Sequence, residues 1–248
     1  FISFLTLWND KKNIPYVSHT LSLLDFVKIG VLAELGSLIF FVMNRLNYYI
    51  IMNGVGSALE LGFYSMLLTV AESILMLAQS IASVKMARLM RNSTTLKKNK
   101  MYSFKVLQAS IVLCFFASLC LVLIPSSFFV WLFQDNIFNT MKPLFTIMMV
   151  GTLTNAIAII IKAYFNTIAQ YQYEIKAAFM AMVVNVVLTF IFVQYFQIQG
   201  LAMAYTLGYV LFLALMIYYY QKHTIVLKKS FISYQFVISY WRLVKNKI

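Results

Sequence analysis

Residues 177–221 read AAFMAMVVNVVLTFIFVQYFQIQGLAMAYTLGYVLFLALMIYYYQ, and none of them is charged. A helix that crosses a bilayer needs ~20 apolar residues, because the hydrocarbon core is about 30 Å thick and each residue rises about 1.5 Å. The stretch is two such spans long, 177–196 and 201–220. Only Gln197-Ile198-Gln199-Gly200 separates them, and that tetrapeptide reads as a turn. Strands of a membrane barrel are ~10 residues with alternating polarity. This run is apolar on every face and twice that length, so it predicts helices.

Working outward, four more runs of the same kind precede it, at 35–52, 61–84, 104–124 and 143–164. Pro125 closes the third, and Pro143 suits the first turn of the fourth. The chain of 248 residues is 62% apolar, 17% aromatic and only 11% charged. An ordinary soluble domain is about 25% charged, and one of this size has no room to bury so much apolar surface. These figures exclude a soluble enzyme, a disordered chain and a disulfide-framed secreted module. The expected fold is an all-α polytopic membrane protein with six transmembrane helices over 35–220. Residues 1–34 read as the end of a preceding helix (Phe1 to Trp8) plus a cytoplasmic linker, without the pattern of a signal peptide. Residues 221–248 form a basic cytoplasmic tail with interleaved aromatics, suited either to the anionic inner leaflet or to solvent.

The net charge of +13 comes from 20 Lys and Arg against seven acids. In a soluble protein that balance suggests nucleic acid, but here the charges segregate. If the spans alternate, 18 of the 20 basic residues fall on one side, among them Lys28, Lys85, Lys97, Lys162, Lys176 and Lys228. Lys142 is on the other side and Arg45 lies within a span. The positive-inside rule then places both ends in the cytoplasm. No nucleic-acid partner is expected. Cys114 and Cys120 fall on different faces of one helix and cannot bridge. The solitary His19 and His223 have no metal or acid–base partners, so no metal, cofactor or catalytic residue is expected.

Charges within a span point to function. Arg45 and Glu72 are the two clear cases, and each belongs to a stripe at helical spacing. In the first span Glu34, Ser37, Asn44, Arg45 and Tyr48 share a face with Phe41. In the second, Ser65, Thr69, Glu72, Met76, Gln79 and Ser83 follow in steps of three and four. Such faces turn toward a bundle interior or a cavity. A direct Arg45–Glu72 ion pair is the competing reading. The two groups are offset by ~10 Å in depth, which argues against a level pairing. A weaker stripe in the fourth span holds Thr152, Asn155 and Lys162, continuing to Asn166. Lys162 there suits snorkelling to the interface, and Asn185 suits a hydrogen bond between helices.

The runs Asn44-Arg45-Leu46-Asn47-Tyr48-Tyr49-Ile50-Ile51, Leu61-Gly62-Phe63-Tyr64-Ser65 and Val70-Ala71-Glu72 resemble polysaccharide-biosynthesis flippases. So do Asn185-Val186-Val187-Leu188 and the later run from Gln197 to Thr206. That family lies in the multidrug/oligosaccharidyl-lipid/polysaccharide exporter superfamily, and the resemblance covers about residues 20 to 220. It implies one lobe, the second, of a two-lobe fold that moves undecaprenyl-diphosphate-linked oligosaccharide across the cytoplasmic membrane by alternating access. The implied partners are the lipid-linked oligosaccharide, membrane lipids and a missing N-terminal six-helix lobe. Arg45, with Asn44, Asn47, Tyr48 and Gln79, would be substrate-binding, and Glu72 a coupling group. Many members carry Asp where this chain has Asn47, so an acidic role does not carry over there.

Two other functions compete. A cation-coupled drug exporter of the same superfamily would use Glu72 but leave Arg45 poorly placed. A membrane-embedded polysaccharide ligase or glycosyltransferase would need a large external loop with acids, and the longest external connection holds only Asp135. A purely structural subunit would leave Arg45 unexplained.

Overall fold

In a bilayer the backbone of such apolar runs must satisfy its own hydrogen bonds. The computed structural model describes residues 23–54, 58–91, 96–134 and 138–223, and every element in it is an α-helix. In chain order these are α1 (Leu23–Gly54), α2 (Ala58–Arg91), α3 (Leu96–Leu123), α4 (Ser126–Phe133), α5 (Phe138–Thr167) and α6 (Tyr171–His223). The apolar start at Phe1 and the basic tail beyond His223 lie outside the described residues.

At 53 residues α6 would be about 80 Å long if straight, far more than one membrane crossing. It does not run straight. The backbone leaves the helical region at Gln197 (φ 51°, ψ −130°), and the two limbs fold against each other. Asn185 Nδ2 donates to the Ala204 carbonyl at 2.9 Å, although 19 residues would set them ~28 Å apart in a straight helix. The reversal is so tight that a Cβ on Gly200 would run into the Phe192 carbonyl. The expected four-residue turn is thus nearly a single residue. Counting its limbs separately, α1, α2, α3, α5 and α6 supply the six expected spans.

Among the described residues, four helical stretches are long and apolar enough to cross a membrane: Glu60–Met90, Tyr102–Leu123, Lys142–Thr167 and Tyr171–Lys222. The last is long enough to cross twice. α1, at 32 residues, is long enough as well and is as apolar as these. The chain is a multi-pass membrane protein.

α5 is the hub, touching α2, α3, α4 and α6. In its apolar stretch 61% of residues are buried, against 22–33% in the other three. Its small residues allow this. Ala156 and Ala158 are fully buried, and a Cβ on Gly151 would strike Tyr205 and the backbone of Thr206. Close approach of this kind drives helix association in lipid, where no hydrophobic force acts between helices. Thr206 Oγ1 then donates to the Ile147 carbonyl at 2.7 Å. α1 packs on α6 and α2 packs on α5, while α1 and α2 touch each other little. Outward residues on both helices are exposed, Phe41 and Arg45 on α1 and Met76 and Gln79 on α2.

Several boundaries differ from the sequence reading. α1 begins at Leu23, so the residues expected as a linker up to 34 are helical from there on. Pro143 lies inside α5 rather than at its first position, because the helix starts at Phe138. α2 continues past Val84 to Arg91, and Lys85, expected in a cytoplasmic loop, is buried. Its ammonium donates to the Ile160 carbonyl of α5 at 2.9 Å, so a main-chain oxygen replaces water.

Candidate functional site

The polar stripe of α1 divides between two surroundings. Arg45 is exposed, and its guanidinium stands 5.1 Å from the Phe41 ring centroid, one turn back on the same face. That is a cation–π contact. Among the described residues no carboxylate forms an ion pair with Arg45, and none joins it to Glu72. Asn44 is half-buried, and its side chain acts on the Tyr209 hydroxyl. Tyr48 is half-buried and meets Tyr64 edge-on at 6.0 Å.

Behind these groups sits a cluster the sequence reading missed. Tyr64, Tyr205 and Tyr209 are almost fully buried. Tyr209 stacks on Phe40 at 5.4 Å and meets Tyr205 at 4.6 Å. Thr152 Oγ1 lies 3.4 Å from the Tyr205 hydroxyl, and Asn44 and Tyr205 both act on the Tyr209 hydroxyl. Glu72 is close enough to act electrostatically on Tyr48, Tyr64, Tyr205 and Tyr209. The structure thus brings Asn44, Tyr48 and Glu72 to one place, with Arg45 at its open edge. The spacing of Tyr205 and Tyr209, four apart on one helical face, was the available signal.

Two of the candidate residues lie elsewhere. Asn47 is 2% exposed and accepts a hydrogen bond from Thr189 of α6 at 3.1 Å. It ties α1 to α6 and faces away from the open side. Gln79 is exposed on α2, seven residues from Glu72 and so ~10 Å along the axis.

The rest of the α2 stripe is on the outside of the described helices. Met76 is 71% exposed, and Thr69 and Ser83 are exposed with it. Their hydroxyls bond back to the helix itself, Thr69 to the Ser65 carbonyl at 2.8 Å and Ser83 to the Ser80 carbonyl at 2.9 Å. A face satisfied in this way is compatible with lipid or with a cavity.

A second polar cluster lies where α1, α5 and α6 meet. Lys162 does not simply snorkel. Its ammonium pairs with Glu174 at 2.5 Å and donates to Ser37 at 3.0 Å. Glu174 is nearly inaccessible, and its Oε2 has no hydrogen-bond partner. Thr152 and Asn155 of the α5 stripe are buried within the lobe. Cys114 is buried and Cys120 exposed, both as free thiols. Among the described residues no group of His, Cys, Asp or Glu is arranged to hold a metal.

No protein-family model matches the chain, and no curated protein sequence matches it. One solved structure with a similar fold is described as the outward-facing conformation of a multidrug resistance MATE family transporter of the MOP superfamily. The TM-score is 0.59 at 14% identity, over 78% of this chain and 44% of that one. The chain thus spans less than half of that transporter's length. The likeness is one of fold: this chain is built like part of a MOP-superfamily transporter.

Proposed function

We propose that the chain is one lobe of an exporter that moves a lipid-linked oligosaccharide diphosphate across the cytoplasmic membrane by alternating access. The observation that carries this reading is Arg45, a mid-helix guanidinium exposed on α1 that has no carboxylate partner among the described residues. A charge there costs about 2.5–3.5 kcal/mol or more if it faces lipid. A phosphate group offers the planar fork of Arg two parallel charge-assisted hydrogen bonds. Asn44 and Tyr48 beside it supply further polar groups for sugar or phosphate oxygens. The expected partner is a second six-helix lobe, which would cover the polar faces of α1 and α2 and enclose the site between the two bodies.

A second reading has its own observation. Glu72 acts electrostatically on the half-buried Tyr48, and a carboxylate with an aromatic side chain in its field is the kind of surrounding that organic cations favour. A drug exporter of the same superfamily would bind there. Ligand charge separates the two. Purified protein in nanodiscs is titrated with a lipid-linked diphosphate saccharide and with a lipophilic organic cation. The flippase reading expects saturable binding of the diphosphate that weakens in Arg45→Ala. Binding of the cation alone, weakened by Glu72→Gln, would establish the drug-exporter reading instead.

A further inference from the structure

The joint between α3 and α5 holds the short helix α4. Its sequence, Ser126-Ser127-Phe128-Phe129-Val130-Trp131-Leu132-Phe133, is apolar after the two serines and carries no charge. At eight residues it is about 12 Å long, well short of a bilayer core of about 30 Å. Two features hold it at the level where the spans end. The apolar stretch of α3 ends at Leu123, and only Ile124 and an extended Pro125 (φ −65°, ψ 147°) come before α4. From the other side, Phe129 is buried and meets Phe145 at 5.5 Å. Phe145 is about one turn inside the apolar stretch of α5, which starts at Lys142.

Another face of α4 is uncovered. Phe128 and Trp131 are three residues apart and share that face, with their ring centroids 6.0 Å apart. Trp131 is 73% exposed, and Phe128 is exposed with it. What meets this face follows from its position. Phe116, Leu119 and Leu123 are exposed at helical spacing and carry an apolar stripe along α3 to its last residue. On a membrane-spanning helix such a stripe faces hydrocarbon, so lipid reaches to within three residues of α4. Polar residues bracket α4 itself. Ser126 and Ser127 open it, and Gln134, in the left-handed conformation, ends it. The uncovered face therefore sits where hydrocarbon gives way to headgroups. Tryptophan suits that level, because its ring is apolar while its indole N–H needs an acceptor, which lipid esters and water supply there.

We infer that α4 is an interfacial anchor, lying along the membrane surface at the end of α3 with Phe128 and Trp131 set into the headgroup–acyl boundary. Through Phe129 on Phe145 it fixes the height of α5, the helix around which the others pack. Its partner is the lipid interface itself rather than an anionic headgroup, because the helix holds no basic residue. This role is independent of the cargo and goes beyond the function proposed above.

The test uses the full chain with Trp8→Phe and Trp241→Phe, which leaves Trp131 as the only one of its three tryptophans. The protein is reconstituted in phosphatidylcholine liposomes, and Trp131 fluorescence is quenched from defined depths. Lipids brominated near the headgroup should quench it roughly threefold more than lipids brominated near the chain ends. Aqueous iodide should quench it weakly, and Phe128→Gln should roughly double that quenching by loosening the shared face. Adding phosphatidylglycerol or salt should leave the profile unchanged. The anchor is overturned if iodide quenches Trp131 as strongly as free tryptophan, since the face is then in water. It is overturned if bromines near the chain ends quench most, since the face is then in the hydrocarbon core. It is also overturned if neither lipid nor aqueous quenchers reach Trp131, since another protein surface then covers it. An unchanged iodide reading in a folded Phe128→Gln, or a profile that follows anionic lipid, equally removes it. Where the double Phe variant does not elute as a folded protein, Trp8→Tyr/Trp241→Tyr gives the same reading.

Discussion

Arg45 and Glu72 lie on neighbouring helices and do not pair, so each is available for a separate task. A charge-assisted hydrogen bond to phosphate contributes about 1.5–3 kcal/mol. Arg45→Ala should therefore lower export of a diphosphate-linked sugar roughly tenfold or more, with normal membrane insertion. Arg45→Lys should fall between, because it keeps the charge and loses the fork. Both are read from surface polysaccharide in cells with matched protein levels. The coupling role proposed for Glu72, which is half-buried, has its own test. Glu72→Gln should remove the dependence of transport on a pH gradient, and unchanged dependence would exclude that role. The Lys162–Glu174 pair gives a different kind of test. Removing one member of a buried pair strands the other, at about 3–5 kcal/mol, while replacing both with apolar groups is often neutral. Thermal unfolding in detergent should show Lys162→Met far less stable than the double variant Lys162→Met/Glu174→Leu.

At the level of the helix, the reversal within α6 makes the sharpest prediction. Gln197 holds a positive φ with ψ near −130°, a conformation nearly reserved for glycine. Such strain costs about 1–3 kcal/mol, so Gln197→Gly should raise the melting temperature and Gln197→Val should lower it. The break itself was legible in the sequence, because Gln197-Ile198-Gln199-Gly200 interrupts 45 residues without charge. Its tightness was not, because it depends on Gly200 meeting the Phe192 carbonyl, a contact that exists only once both limbs are in place. The ends of the helices were legible only roughly. Lys85 reads as the start of a loop, since nothing in its neighbours reveals that the Ile160 carbonyl will receive its ammonium. Lys162 reads as a snorkelling residue for the same reason: Glu174 becomes its neighbour only after α5 and α6 pair. The α1 stripe was visible because helical spacing marks it. The buried tyrosines were hidden because Tyr64, Tyr205 and Tyr209 come from two distant parts of the chain, and aromatics in an apolar run signal nothing by themselves.

Across the whole molecule, two asymmetries define the account. The first is charge: if the spans alternate, basic residues gather on one side, and the positive-inside rule predicts that this side is cytoplasmic. In intact cells an impermeant thiol reagent should label Asn136→Cys and should not label Lys97→Cys; labelling at Lys97→Cys would reverse the topology. The second is polarity: Arg45 of α1 and Gln79 of α2 are exposed and Glu72 is half-buried, whereas Thr152 and Asn185 are bonded within the lobe. On the function proposed above, a second body covers these faces and the site lies between the two. The most direct test of the claim that this site passes a lipid-linked diphosphate sugar is flipping in liposomes. The full-length protein is reconstituted with a fluorescent polyprenyl-diphosphate oligosaccharide, and its movement between leaflets is followed by quenching from outside. The account predicts protein-dependent flipping that falls roughly tenfold or more in Arg45→Ala. Equal flipping by wild type and a well-folded Arg45→Ala would contradict it.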